Sequence, residues 1–526
     1  MSRRSLFLAL AVLLPVGLTP AIAQDVPRAA LWGAMPEPTE GILRNSISNL
    51  FAVGDSLWVG PLLNLTTDGG QTWQVADTDS LFGSRNRVFS IDVEGDVIWV
   101  GLGYTGREDQ FAAGGFLVSR DGGQTFAYRF DQLDAPGDSI LTYGVSTLRA
   151  LPIITQEQSP PFDIDYDPVL DEVWVAGFGS GIRRSRDGGA TWDRIILPPD
   201  GFDAISPDEP YDFFVEPARG ETGFLNYNAF SVLVDEEGVV WAGTSEGVNR
   251  SRPEDLDAAT GDRGWQLLTF DGGPNALVGK WTVSIEEQPL PGRNPIWFAN
   301  WAANRVQGEA QRFGLTVTRD GGETFEQVLT DVETIDFAFA GERVYVAGRS
   351  SGLFISDDAG RTWRSVRDFF DPTRPDRIVR QNVDVAAVAT TRDAVWIGTS
   401  DGLLRSTDGG QTWRLFRAEV PLNPDTPTDD VPRVDTYAYP NPFSPAASGF
   451  VRVRYALESD QTVRVRIFDF GMNLVRDLVN ESQPAGTREA PWDGTDNGGL
   501  RVANGPYFYA VEANGETVWG KILLIE

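Results

Sequence analysis

An eight-residue string, Ser/Thr-x-Asp-Gly-Gly-x-Thr-Trp/Phe, recurs at residues 66–73, 119–126, 185–192, 318–325 and 406–413. A close variant spans 356–363, where Ala359 replaces the first glycine, and a degenerate copy swollen by an insertion fits 251–265. Shortly before each copy lies a second element, an aromatic-aliphatic-small-Gly run. It reads Trp58-Val59-Gly60, Trp99-Val100-Gly101, Trp174-Val175-Ala176-Gly177, Trp241-Ala242-Gly243, Tyr345-Val346-Ala347-Gly348 and Trp396-Ile397-Gly398. Trp297-Phe298-Ala299 is the copy without the glycine. Self-similarity at a spacing of roughly 40–65 residues defines a repeat architecture and takes precedence over local propensity. Seven units result, covering residues 46–417.

Each unit divides into four short strands. In the last one they are predicted at 383–390, 394–399, 403–406 and 412–417, separated by Arg-Asp, Asp-Gly and Asp-Gly-Gly turn signals. A lone antiparallel blade cannot bury both faces, so seven four-stranded units are expected to close into a β-propeller. The repeated Trp then sits where blades stack and removes a large apolar surface from water. The glycine that follows it is expected where strands crowd toward the axis. The Asp-Gly-Gly turn closes the hairpin between the third and fourth strands: its carboxylate accepts backbone N–H groups and its glycines permit positive φ.

These residues resemble the Asp-box (BNR) repeat of sialidases, sortilin-type receptors, xyloglucan-cleaving glycoside hydrolases and photosystem II assembly factors. The resemblance implies a propeller fold, with Asp68, Asp121, Asp187, Asp320, Asp358 and Asp408 in structural rather than catalytic roles on the outer rim. It does not choose among the functions that the fold hosts.

Most extra residues fall in the connections from second to third strand and from fourth strand to the next blade. The insertions are 104–113, 131–143, 197–228, 271–280, 300–313 and 369–382. Long loops gathered on one face of a rigid scaffold are where binding and catalysis concentrate, so this face is the expected ligand site. Tyr104, Tyr211, Trp281 and Trp301 offer flat surfaces for sugar rings or partner side chains, and Arg107, Glu108 and Arg305 offer charge and hydrogen bonds. Packing within the loops is the plainer role for the same residues.

Composition narrows the chemistry. The chain has no Cys and no His, which excludes disulfides, thiolate nucleophiles, imidazole bases and Cys/His metal sites. Its 75 acidic residues against 44 basic, a net charge of −31, argue against nucleic acid as a partner. No cofactor is expected. Two carboxylates flanking a glycosidic bond could still make a glycoside hydrolase, with Glu108, Asp109, Glu221 and Glu309 on the loop-rich face. In so acidic a chain such pairs arise by chance, and the Phe/Tyr-Arg-Ile-Pro motif of active sialidases is absent. The leading expectation is a non-catalytic recognition module for a glycan or protein. A glycoside hydrolase and an extracytoplasmic assembly factor are the alternatives.

The two ends carry addresses. Arg3 and Arg4 precede an apolar run from Leu6 to Leu18, with Ala21-Ile22-Ala23 as a cleavage site, so residues 1–23 read as a signal peptide. No later segment is long and apolar enough for a transmembrane helix. Residues 24–45 are unassigned, with a path across the last blade open to them. Residues 418–436, rich in Pro, Asp and Thr, read as a linker, and 437–526 as a small β-sandwich of six or seven strands. In that tail, Pro440-Asn441-Pro442-Phe443, the stretch Phe468–Leu474, Trp492-Asp493-Gly494, Asn504-Gly505-Pro506-Tyr507 and Lys521–Leu524 are similar to the Ig-like domain of the flagellar hook-capping protein FlgD. That domain also serves as a C-terminal sorting domain of type IX secretion. The resemblance implies that this secretion machinery is a partner, that the chain crosses the outer membrane, and that it ends extracellular or at the cell surface, with the tail removed or the cargo attached to lipopolysaccharide. Asp493 and Asp496 are weak calcium candidates in a turn between strands. The expected fold is all-β, a seven-bladed propeller followed by a small Ig-like sandwich.

Overall fold

A computed structural model describes residues 32–34, 41–76, 87–107, 110–219, 222–292, 294–303, 311–375, 377, 379, 383–418 and 436–526. Seven successive antiparallel sheets form the ring, each built from four consecutive strands. The last comprises Val385–Thr391, Ala394–Thr399, Gly402–Ser406 and Arg414–Phe416. The second strand of each blade is buried along nearly its whole length, and the outer strands carry the exposed positions. Two blades have a fifth strand. Trp32–Ala34 pairs with the outer strand Gln74–Ala76 of blade one, and Ala204–Ile205 with the outer strand Trp265–Thr269 of blade four.

The recurring string is explained letter by letter in blade seven. The Ser406 hydroxyl donates to Asp408 Oδ1 at 2.7 Å and accepts from the Gly410 N–H at 2.8 Å. Asp408 also accepts the Gln411 N–H at 2.9 Å, the Thr412 N–H at 3.0 Å and the Thr412 hydroxyl at 2.6 Å. These bonds hold its carboxyl well below the usual range, against the opposing effect of burial. Both glycines are at positive φ, +75° and +86°.

The same turn joins neighbouring blades. A Cβ placed on the second glycine would lie 3.2 Å from Trp396 at Gly70, 3.3 Å from Trp58 at Gly123, 3.0 Å from Trp99 at Gly189, 3.1 Å from Trp241 at Gly322 and 2.5 Å from Trp297 at Gly360. In each pair the Trp belongs to one blade and the glycine to the next, so the ring of the Trp lies flush against bare backbone. Arginines bind the same turns from the preceding blade: Arg129 donates to the Gly188 carbonyl at 3.1 Å, Arg319 to Ala359 at 2.9 Å and Arg364 to Gly409 at 2.6 Å. Blade four lacks the box, and its insertion supplies a substitute. Arg263 lies 5.6 Å over Trp174, which Arg184 covers at 5.2 Å while donating to the Gly261 carbonyl.

The ring closes without exchanging a strand. Residues 41–47 run along blade seven, where the Ile47 N–H donates to the Thr399 carbonyl and the Asn45 side chain bonds both backbone groups of Ala418. Ile42, Ile47, Val59, Trp396, Leu403 and Phe416 form one buried cluster across the joint.

The C-terminal domain is a sandwich of a three-stranded and a four-stranded sheet around Trp492, Tyr455, Tyr509 and Val465. Leu474–Gln483 runs to ten residues. It pairs along Gln461–Phe468, so backbone bonding carries the strand where side chains are polar. The sandwich docks on blade seven through buried ions. Arg417, only 1% exposed, pairs with Asp401 at 3.1 Å and with Glu489 of the sandwich at 2.7 Å. Arg452 of the sandwich also pairs with Asp401, and the Tyr439 hydroxyl donates to Glu489. Arg417 and Arg452 hold the Glu489 carboxyl below its ordinary range despite burial. Of the expected linker 418–436, residues 419–435 lie outside the described residues, while Ala418 is buried and Thr436 opens the strand Thr436–Tyr439.

Two outcomes are expected in denaturant titrations of the full chain. Gly70→Ala forces a side chain at φ +81° against Phe416 and Trp396 across the ring joint and should cost about 1–3 kcal/mol. Glu489→Gln leaves the buried Arg417 and Arg452 guanidinium groups to share the single charge of Asp401 and should cost about 3–5 kcal/mol. Because the Glu489 pKa is lowered on folding, its contribution is present above an unfolded value of about 4.3 and is lost as pH falls below it.

Candidate functional site

The first strands of blades two to five each carry a β-bulge at the same level. The register breaks at Val88/Ser90, Pro161/Asp163, Ala229/Ser231 and Thr282/Ser284, leaving Phe89, Phe162, Phe230 and Val283 as the extra residues. A bulge re-aims a side chain out of the ladder. Here it builds an arc of rings around the mouth of the axis. Phe89 and Phe162 stack at 6.4 Å and 10°, Phe162 and Phe230 at 6.4 Å and 23°, and Phe230 meets Trp281 at 5.6 Å. Two further rings stand on the arc. Phe111, 53% exposed, meets Phe89 edge-on at 5.3 Å, and Phe178, 37% exposed, lies 5.7 Å from Phe230. Sequence reasoning passed over these five phenylalanines, although Phe-Ser or Phe-Asp recurs at 89–90, 162–163 and 230–231 ahead of the blade Trp.

A groove leaves the arc at Phe178. It is about 500 Å³, with Leu151, Pro152, Ile154, Phe178 and Pro217 among its walls and Glu157 and Arg219 also lining it. A second hollow of about 670 Å³ shares Ile154, Thr155 and Glu157 with it and is lined by Tyr104 and Arg107. Tyr104 sits on the long hairpin of blade two, its hydroxyl 2.8 Å from Gln156 Oε1.

The loop residues singled out from sequence are thus divided. Tyr104 and Arg107 line the hollow, and Trp281 ends the arc. Trp301 is the strand partner of Trp281, donates its indole N–H to the Thr334 carbonyl at 2.6 Å and carries Arg349 at 5.4 Å. Tyr211 lies apart from them. It packs with Tyr143, Phe202 and Phe213, and its hydroxyl accepts the Ser206 N–H at 3.0 Å. Its insertion, expected on the ligand face, pairs partly with the outer edge of blade four and with a small sheet of Ile140–Tyr143 and Ser146–Ala150. Glu108, Asp109, Glu221, Arg305 and Glu309 lie outside the described residues. Asp493 and Asp496 spend their carboxylates on turn N–H groups, of Thr495 and of Gly498 and Leu500.

Below the arc the inner strands carry Asp92, Asp163, Asp165, Glu286 and Asp336. Asp92 accepts the Tyr166 N–H at 2.8 Å, Asp163 that of Val232 at 3.0 Å and Asp336 that of Val388 at 2.9 Å, each from the next blade, and Asp165 bonds Val234 likewise. Burial pushes Asp92 to about 6 and Asp163 and Asp336 to about 7. Asp165 and Glu286 are raised well above their ordinary values by burial and by repulsion from the others. All five move in the same direction.

Residues 445–516 match the FlgD Ig-like domain family and residues 404–415 the BNR/Asp-box repeat. The chain is all-β, a propeller carrying a BNR/Asp-box repeat, followed by a C-terminal domain similar to the FlgD Ig-like family. No curated protein matches it. Among solved structures it is similar to YCF48 from Cyanidioschyzon merolae, at 18% identity over 72% of this chain and 98% of that one, with a TM-score of 0.39. It is also similar to the GH74 enzyme of Niastella koreensis, at 11% identity over 94% of this chain and 75% of that one, TM-score 0.49. A third similar structure is PorZ, a surface component of the type IX secretion system of Porphyromonas gingivalis, at 14% identity over 91% and 75%, TM-score 0.31.

The sign of the pH dependence follows from the raised carboxyls. Between an unfolded value of about 3.9 and the native value near 7, Asp163 keeps a proton in the folded state that the unfolded chain has lost. Its contribution to stability is therefore present at low pH and lost as pH rises through 7. Melting temperature should fall from pH 5 to pH 8, and the fall should be shallower in Asp163→Asn, which retains an acceptor for Val232.

Proposed function

We propose that this protein is a non-catalytic recognition module, exported to the cell surface or beyond, that binds a protein or glycan partner on the loop-rich face of the propeller. The arc of rings from Phe89 to Trp281, with Phe111 and Phe178 standing exposed on it, carries this reading. Solvent-facing aromatic clusters on a monomer mark binding sites, and planar rings serve sugar faces and apolar side chains equally well.

The FlgD Ig-like match supports a sorting role for residues 437–526, with type IX secretion machinery as the partner of that domain. The apolar run after Arg3 and Arg4 supports export. No helix among the described residues is long and apolar enough to cross a membrane.

Incubating the full chain with a panel of plant, algal and bacterial polysaccharides and with outer-membrane proteins tests the reading. Saturable binding without release of reducing ends is expected, weakened about tenfold in the Phe111→Ala/Phe178→Ala double variant. A tenfold loss, about 1.4 kcal/mol, is less than the roughly 3–6 kcal/mol of two fully buried rings because both rings are already partly covered. Release of reducing ends from any polysaccharide would replace recognition by hydrolysis.

A further inference from the structure

The axial lumen below the aromatic arc is acidic, and one of its carboxylates is unused. Four of the five serve neighbouring blades as hydrogen-bond acceptors. Among the described residues no side-chain hydrogen bond or ion pair reaches Glu286, which keeps solvent access although the surrounding blades enclose it. Blades two, three, five and six contribute to one electrostatic cluster. Asp163 feels Asp92 and Asp336, and Glu286 feels Asp336, Asp163 and Asp92. Like charges gathered without a counter-charge favour a cation, and the arc decides which kind. Rings stacked at the entrance attract an organic cation by their quadrupole and by apolar contact with its stem. A hydrated inorganic ion gains neither.

The groove decides how that cation is presented. It begins at Phe178, which also touches Phe162 and Phe230 of the arc, and it runs outward between Ile154 and Pro217. A free small cation would leave this apolar channel empty, whereas an extended chain fills both parts at once. Resting on the recognition reading above, we infer that the partner is a polypeptide segment with an arginine or lysine flanked by apolar residues. The cationic side chain passes the Phe162–Phe230 arc to meet Glu286, and the apolar neighbours lie in the groove against Phe178 and Ile154.

Selection of a random-peptide phage library on the full chain tests this, followed by binding of the selected peptides to Glu286→Gln and Phe178→Ala. Glu286→Gln removes a charge without removing a hydrogen bond, and Phe178 is exposed, so both variants should fold, as circular dichroism and melting would verify. Peptides carrying Arg or Lys beside apolar residues are expected. Their affinity should fall about tenfold in each variant, the scale of one desolvated cation–π or charge contact, and likewise when the basic residue is replaced by norleucine. Selected peptides that lack a basic residue, or that bind Glu286→Gln unchanged, overturn the inference and leave the recognition face standing. Binding that survives Phe178→Ala and the Phe111→Ala/Phe178→Ala double variant alike overturns both.

Discussion

At five of the seven joints a buried Trp from the second strand of one blade lies against the glycine pair of the next blade's turn, and the circle depends on this contact. The Trp can lie flat there only because the turn has no side chain at that point. The turn stays open only because Asp408 ties four groups into one cap, as its equivalents do in the other boxes. A motif that looks like local turn chemistry is therefore the surface on which the previous blade stacks. The arginines belong to the same device. A planar guanidinium covers an indole and reaches a backbone carbonyl at the same time, which an ammonium cannot do. With Lys280 and Lys521 the only lysines in the chain, nearly every cation here has that capacity.

Blade four shows how far the contact can be altered. It has lost the box, and Arg263 from its insertion covers Trp174 in place of backbone. The same insertion supplies the outer strand that meets Ala204–Ile205, so Tyr211 and its neighbours are drawn to the rim. Blades two to five hold the arc and the groove. The opposite arc of the ring, blades six, seven and one, makes the closing joint and receives the C-terminal domain. The proposed binding face and the docked domain thus occupy different sides of one circle.

The docked domain changes how the tail is understood. Asp401, Arg417, Arg452, Glu489 and Tyr439 form a closed set of opposite charges with almost no access to water. Such a set gains little over apolar packing but strongly penalises any arrangement that leaves one member alone. It therefore fixes the seat of the sandwich on blade seven more than it adds stability. Pro, Asp and Thr in residues 418–436 describe the connection and say nothing of this seat, since its ions come from four separated segments.

Repeat number, strand order and the glycines that follow the second-strand Trp were legible in the sequence. Each depends on residues close together in the chain whose spacing is itself the signal. Gly101 illustrates this: a Cβ there would lie 2.3 Å from Ser90 Oγ and 3.0 Å from Pro161, as crowding near the axis requires. The site was legible only in part. Tyr104, Trp281 and Trp301 lie at strand ends beside long connections, but Phe89, Phe162 and Phe230 lie inside strands with no such marker, where an aromatic residue ordinarily signals core. Only the register breaks turn them toward the mouth, and only the closed ring brings Asp92, Asp163, Glu286 and Asp336 from four blades around one axis. Local pattern determined the blades; what the blades jointly enclose was decided by closure, because burial and repulsion among those carboxyls exist only once the circle is complete.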